Sequence, residues 1–253
     1  MTANDTQISL ASRLHAWLQG AAGQALLQTE QRRVAGLLAD LFGYHIVQLG
    51  LPQSQNFITT SRIGHKLIVA ADTAETATAE SATGLISAAE ALPLQADSID
   101  VLVLAHVLEF TDDPHQLLRE VERVLIGEGH VVIIGFNPWS LWGISRALLG
   151  WREEPPWCGH FFSALRIQDW LHLLGFQIMH TEKLFYRPPL RNDKLLARLA
   201  FMDKLGRYAW PWWGGAHVIL AKKRVVQLLP MREVWRHRRH KIATGVVEPT
   251  VRQ

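Results

Sequence analysis

The side chains with chemistry to offer gather in two places. His106 directly follows the apolar run Ile99-Asp100-Val101-Leu102-Val103-Leu104-Ala105, and Glu109 and Asp112 come soon after it. An imidazole titrates near neutrality, so His106 at a strand end is the candidate general base for an acceptor that must lose a proton. A residue that closes the strand and hydrogen-bonds the backbone would look the same in sequence. Glu109 and Asp112 are weaker candidates, and Asp113 before Pro114 is better explained as a helix cap. The second place is aromatic. Trp139, Trp142, Trp151 and Trp157 cluster with Phe161 and Phe162 after the apolar run His130–Ile134. Trp139 and Trp142 are candidates to clamp a flat or apolar acceptor; packing onto a sheet edge is the alternative. Cys158 and His160 sit together without a visible third partner, so no metal site is expected.

The elements that must position these groups can be read from periodicity. Leu10, Leu14, Trp17 and Leu18 recur at helical spacing, and a second stripe runs from Leu26 to Phe42 with Gly43 as its C-cap. Short strand-like runs come next at His45–Gly50, Leu67–Ala71 and Gly84–Ser87, with a polar helix or loop over Thr73–Thr83. The run Ile99–Ala105 is apolar throughout rather than alternating, which predicts a strand covered on both faces, as in a parallel sheet. Pro114, Leu117, Leu118, Val121, Val124 and Leu125 predict a helix, and His130–Ile134 the next buried strand, so a right-handed βαβ unit is expected. Ile167–Leu174 reads as a helix ended by Gly175, and Phe176–Phe185 and Ala216–Ala221 as two late strands joined by a long connection. The fold class expected is α/β, an open and mostly parallel sheet with helices on both faces. Ligands in such sheets bind beyond the carboxyl ends of the strands.

The segment Ala91-Leu92-Pro93-Leu94-Gln95-Ala96-Asp97-Ser98-Ile99-Asp100 resembles the signature that precedes the fourth strand in class I S-adenosylmethionine-dependent methyltransferases of the methyltransferase type 11 group. Ala105-His106-Val107-Leu108-Glu109-Phe110, Asp112-Asp113-Pro114, Leu117-Leu118-Arg119-Glu120 and Arg123-Val124-Leu125 with Gly127 and Gly129 are similar to that group's fourth strand, the helix after it and its fifth strand. The resemblance is close over Leu85–Pro138 and weaker from Ile46 to Lys223. It implies a Rossmann-like sheet of seven strands with the last antiparallel, and S-adenosyl-L-methionine bound across the ends of strands one to four. Carried over residue by residue, the cofactor contacts fall on Gln48, Gly50, Leu51, Asp72, Ser87, Ala88, Ala89, Ala105 and His106. Physical reasons support the main ones. Gly50 lets backbone approach a ligand, Asp72 can accept both ribose hydroxyls, and amides after the third strand can read the adenine edge. The chain departs from the usual acid-x-Gly-x-Gly-x-Gly motif, because Gln48, Gly50, Pro52 and Ser54 stand there and one glycine survives.

Composition bounds the remainder. With 253 residues, 48% hydrophobic and 19% charged, the chain can bury a sizeable core. No stretch reaches the roughly 18 apolar residues of a membrane span, Met1–Leu10 lacks a secretory pattern, and there is a single cysteine, so a cytoplasmic protein is expected. The net charge of +3 is uneven: residues 222–241 carry +7, leaving the rest at −4. The divisions expected are a helical extension or lid over 1–44, the methyltransferase-like domain over 45–223 with a Trp-rich insertion at 139–163, and a basic tail over 224–253. The leading expectation is methyl transfer to a small, aromatic or apolar acceptor. A non-catalytic binding or regulatory protein on the same fold is the alternative, favoured by the degenerate glycine motif. An RNA methyltransferase using the basic tail is less favoured, since no Asn/Asp-Pro-Pro-Tyr motif follows the fourth strand. The oligomeric state is open.

Overall fold

The computed structural model describes residues 13–51, 55–70, 83–86, 92–149, 155–189 and 193–225. Seven strands form one sheet: β1 (His45–Gly50), β2 (His65–Ala70), β3 (Thr83–Ile86), β4 (Ile99–Ala105), β5 (Leu125–Phe136), β6 (Phe176–Leu184) and β7 (Ala216–Lys223). Their order is β3-β2-β1-β4-β5-β7-β6. The first five pair in parallel, while β7 runs antiparallel to both β5 and β6. This is the Rossmann-like seven-stranded sheet expected, with its last strand reversed.

Helices cover both faces because β4 and β5 are apolar on both. On one face, α1 (Ala21–Leu38) packs Leu26, Leu27, Val34 and Leu38 against Ile46, Val101, Val103 and Val132. The helical residues 13–18 join the same cluster through Leu14 and Leu18. The described part of the helical extension or lid expected over 1–44 thus contributes side chains to this core cluster. On the other face, α2 (Pro114–Val124) and α4 (Ala164–Leu173) pack against Leu102, Leu104, Val131 and Ile133. The remaining helices are α3 (Leu141–Leu149), α5 (Asp193–Arg198) and α6 (Phe201–Ala209).

Local chemistry explains the boundaries. Asp113 Oδ1 accepts from the Gln116 amide at 2.9 Å and Pro114 opens α2, as the sequence implied. The Arg123 guanidinium, paired with Glu120, donates to the carbonyls of Leu92 and Leu94 and so ties the segment before β4 to α2. Gly43 does not cap α1, which ends five residues earlier at Leu38. A Cβ there would collide with Asp100, whose Oδ2 accepts from the Tyr44 and His45 amides and so fixes the start of β1. β5 is longer than predicted because the chain leaves α2 directly into strand, and residues 126–129 bulge out of the ladder between Ile99 and Val101.

Two connections differ from expectation. The long join between β6 and β7 contains α5 and α6. The β1–β2 crossover carries no α-helix among its described residues; Phe57, Ile58 and Ile63 are buried there and seal the sheet in place of one. The stretch Thr73–Thr83 lies outside the described residues except for Thr83, the first residue of β3.

Candidate active site

Strand order reverses between β1 and β4, and this is where an open α/β sheet leaves a crevice beyond its carboxyl ends. Gly50 ends β1 with φ +113, a region that favours glycine. A Cβ on it would lie 2.3 Å from Val107 Cγ2 and 2.6 Å from the Ala105 carbonyl. Its missing side chain thus lets the end of β1 cross the turn that follows β4. His106 adopts φ +53 in that turn, a left-handed conformation uncommon for a non-glycine residue, and its amide donates to the Ile134 carbonyl at 3.0 Å.

Beneath the crevice, Gln48 is fully buried on β1. Its Nε2 donates to the carbonyls of Leu51 and Gln55, and its Oε1 accepts from the Phe57 amide at 2.8 Å. The expected cofactor contact through this side chain is therefore corrected: its amide is spent on folding the β1–β2 loop. Leu51 is also buried, with its side chain in the core. Asp72, Ser87, Ala88 and Ala89 lie outside the described residues.

The His106 side chain is wholly buried between two carboxylates. Nε2 stands 3.2 Å from Glu30 Oε1, and Nδ1 3.4 Å from Glu109 Oε1. Glu109 Oε1 also accepts from the Phe136 amide at 2.7 Å, and the imidazole packs on the Phe136 ring with centroids 4.3 Å apart. Burial alone would lower the histidine pKa; Glu30 and Glu109 more than reverse this and push it up to about 10. An imidazolium held this way has no lone pair with which to take a proton, so the base role expected of His106 does not fit the arrangement. Its buried neighbour His217 is driven the other way, down to about 4 by desolvation, and stays neutral.

Sequence reasoning missed Glu30, although a signal was present. An acid at position 30 falls on the same apolar stripe as Leu26, Leu27 and Val34, where a lone carboxylate calls for a buried partner.

The aromatic candidates separate. Trp142 is 1% exposed, with its indole N–H donated to the Arg187 carbonyl and its ring packed on Trp17, Phe136 and Phe185. It is a core residue, which corrects its assignment to the acceptor. Trp157 and Phe161 are buried as well, and Trp151 lies outside the described residues. Trp139 is 74% exposed and lines a cavity of about 730 Å³ with Trp212, Tyr186, Lys183 and Arg207. Asn137, the first residue after β5, builds this wall: its amide donates to the carbonyls of Gly214 and Trp212, and its Oδ1 accepts from the Trp139 amide. Among the described residues no cluster of His, Cys, Asp and Glu could hold a metal ion, and no helix is long and apolar enough to cross a membrane.

Comparison with known proteins agrees with this geometry. The family model of the methyltransferase domain matches residues 47–133, which span β1 through most of β5. Over that span the chain is similar to the class I S-adenosylmethionine-dependent methyltransferases. The cofactor that this similarity implies is S-adenosyl-L-methionine. The chain is similar to the uncharacterized protein YafS of Escherichia coli K12, 29% identical over 217 residues, covering 83% of this chain and 82% of that one. Its fold is similar to that of an S-adenosylmethionine-dependent methyltransferase of Thermotoga maritima, with TM-score 0.60, 19% identity and coverage of 78% and 89%. A methyltransferase of Mesorhizobium loti gives TM-score 0.54 and 18% identity, covering 81% of this chain and 99% of that one.

Proposed function

We propose that this methyltransferase acts on a small aromatic or apolar acceptor, admitted through the cavity that Asn137 and Trp139 border. The observation that carries the reading is the position of that cavity. Its lining begins directly after β5, the neighbour of β4, whose end forms one wall of the cofactor crevice, and continues along β6 at the sheet edge, three strand spacings of about 4.8 Å from β4. The lining supplies exposed faces of Trp139 and Trp212 for a flat or greasy molecule, and the polar groups of Lys183 and Tyr186 to orient it.

The cofactor fits the crevice through backbone rather than through Gln48. Gly50, Leu51, Ala105 and His106 border it where the strand order reverses, and we assign Asp72 to the ribose and Ser87, Ala88 and Ala89 to the adenine edge. When bound, the cofactor supplies a methyl group already activated on a sulfonium, so the protein's task is orientation and exclusion of water. His106 acts as a positioning residue: pinned by Glu30 and Glu109, it holds the left-handed turn after β4 in place.

Titration calorimetry with S-adenosylmethionine and S-adenosylhomocysteine tests the first half. Heat with either is expected; none with both at millimolar concentration would leave a non-catalytic binding protein. Methyl transfer from labelled cofactor to a panel of aromatic and aliphatic acceptors, compared with Trp139→Ala, tests the second. Turnover that Trp139→Ala leaves untouched would move the acceptor elsewhere.

A further inference from the structure

Seven consecutive residues, Arg207–Trp213, are exposed at the end of α6, and they include Tyr208, Trp210, Trp212 and Trp213. The apolar surface continues on both sides. Phe201, Leu205 and Tyr208 fall at i, i+4 and i+7 along α6 and are 58%, 50% and 87% exposed. The opposite side of that helix carries Gly206, packed so tightly on the Tyr186 ring that a Cβ would come within 2.5 Å. The helix is therefore anchored inward by a glycine and presents its large apolar side chains outward. Leu141 of α3 meets Leu205, Trp210 and Trp213 around a shared hollow, and Ile144 and Leu148 extend its exposed face along α3. Trp139 joins from the other side, across the cavity it shares with Trp212.

Four exposed tryptophans at 52–74% leave on the order of 500 Å² of aromatic surface, taking about 150–250 Å² for each ring system. With the α3 and α6 faces added, the patch exceeds what most monomeric proteins show. Its charge is one-sided. From the start of α5 to Trp213 there are four cations, Lys194, Arg198, Lys204 and Arg207, against two acids, Asp193 and Asp203. Asp203 is turned inward, where it pairs with Arg187 at 2.7 Å and accepts from the Tyr186 amide.

We propose that this face docks on the surface of an anionic phospholipid bilayer. Tryptophan and tyrosine, apolar in body and polar at one edge, suit the headgroup boundary, and cations beside them are attracted to anionic lipid. The same charge argues against a second copy as the occupant. A two-fold contact over this face would bring two copies of the same net positive charge together. The inference concerns where the enzyme sits and does not depend on the acceptor.

The test is co-sedimentation of the full chain with vesicles of phosphatidylcholine alone or with about 30 mol% phosphatidylglycerol added. Binding to the anionic vesicles only is expected, with tryptophan emission quenched by brominated lipid. Two variants outside the acceptor cavity, Tyr208→Ser/Trp210→Ser/Trp213→Ser and Arg198→Glu/Lys204→Glu, should each weaken partitioning at least tenfold while melting like the parent. The side chains changed are exposed, so loss of fold is readily told apart by circular dichroism. Absence of vesicle binding overturns the proposal. Equal binding by both variants also overturns it, assigning attraction to another basic segment. A concentration-dependent dimer abolished by the aromatic variant would give the face to a second copy instead.

Discussion

Glu30 lies within α1 and His106 just past β4, 76 residues apart, yet Oε1 of the first stands 3.2 Å from Nε2 of the second with both side chains fully buried. The pair rivets the helical layer to the mouth of the cofactor crevice. It also makes stability depend on pH in a defined direction. The histidine's folded pKa, about 10, is above its ordinary value of 6.5, so the native state keeps a proton that the unfolded chain gives up. The stabilisation is present in full below pH 6.5 and is lost as pH rises through about 10. The wild-type melting temperature should therefore fall across that interval. Glu30→Gln, which leaves the imidazole poorly partnered, should cost about 3 kcal/mol at pH 7 and flatten the dependence. Melting curves at half-unit pH steps check this, and parallel curves for the two proteins would refute it.

Gln48 explains why the usual acid of the family's first motif is not simply restored here. Its Nε2 donates to two buried carbonyls, those of Leu51 and Gln55. Gln48→Glu would turn both contacts into repulsion between acceptors and bury a carboxylate without a cation beside it. A loss of about 2–3 kcal/mol is expected from denaturant titration. Binding of S-adenosylhomocysteine should weaken rather than improve, because the glutamine holds Leu51, the residue that follows Gly50. Tighter binding in the variant would show that the glutamine had been the weak point of the site.

The parts of this molecule set by local chemistry could be read from the chain. Asp113 and Pro114 announced α2, the unbroken apolar run of β4 announced a doubly covered strand, and Gly175 stopped α4. What could not be read depended on contacts distant in sequence. Gly43 looked like a helix cap because its fit against Asp100, 57 residues on, leaves no local trace. Trp142 and Trp139 sit three residues apart in one aromatic cluster, but only the turn at the start of α3 decides that one points into the core and the other out. His106 was legible as a strand-end residue and illegible as an imidazolium, since the carboxylate that charges it arrives from α1. The α5 and α6 helices were missed because Pro188, Pro189 and the short amphipathic stretches after them carry too few turns to stand out from a loop.

Gly50 offers a direct measure of how tightly the crevice is built. Alanine there must adopt φ +113 and place its Cβ against both Val107 and the Ala105 carbonyl. Gly50→Ala should destabilise by about 2–4 kcal/mol and abolish cofactor heat in calorimetry. Adding Val107→Ala removes the side-chain collision and leaves the backbone one, so the double variant should recover part of the stability relative to Gly50→Ala. Non-additivity of this sign reports direct contact between the two positions. Simple additivity would place the strain in φ alone.

Asn137 makes the last prediction, because one side chain holds both walls of the cavity proposed for the acceptor. It donates to the Trp212 and Gly214 carbonyls and accepts from the Trp139 amide, joining the segment after β5 to the one before β7. Asn137→Ala leaves the buried Gly214 carbonyl and the Trp139 amide without this partner, while the Trp212 carbonyl keeps Lys183 Nζ at 3.1 Å, and should cost about 2 kcal/mol. The loss should fall unevenly on function. The crevice at Gly50 and Ala105 lies on other strands, so S-adenosylhomocysteine affinity should stay within about twofold of the parent, a difference under roughly 0.4 kcal/mol. Acceptor KM should rise as Trp139 and Trp212 lose their fixed spacing. A variant that loses cofactor affinity and acceptor affinity together would mean that cavity and crevice are one continuous site, and the boundary drawn between them at Asn137 would have to be withdrawn.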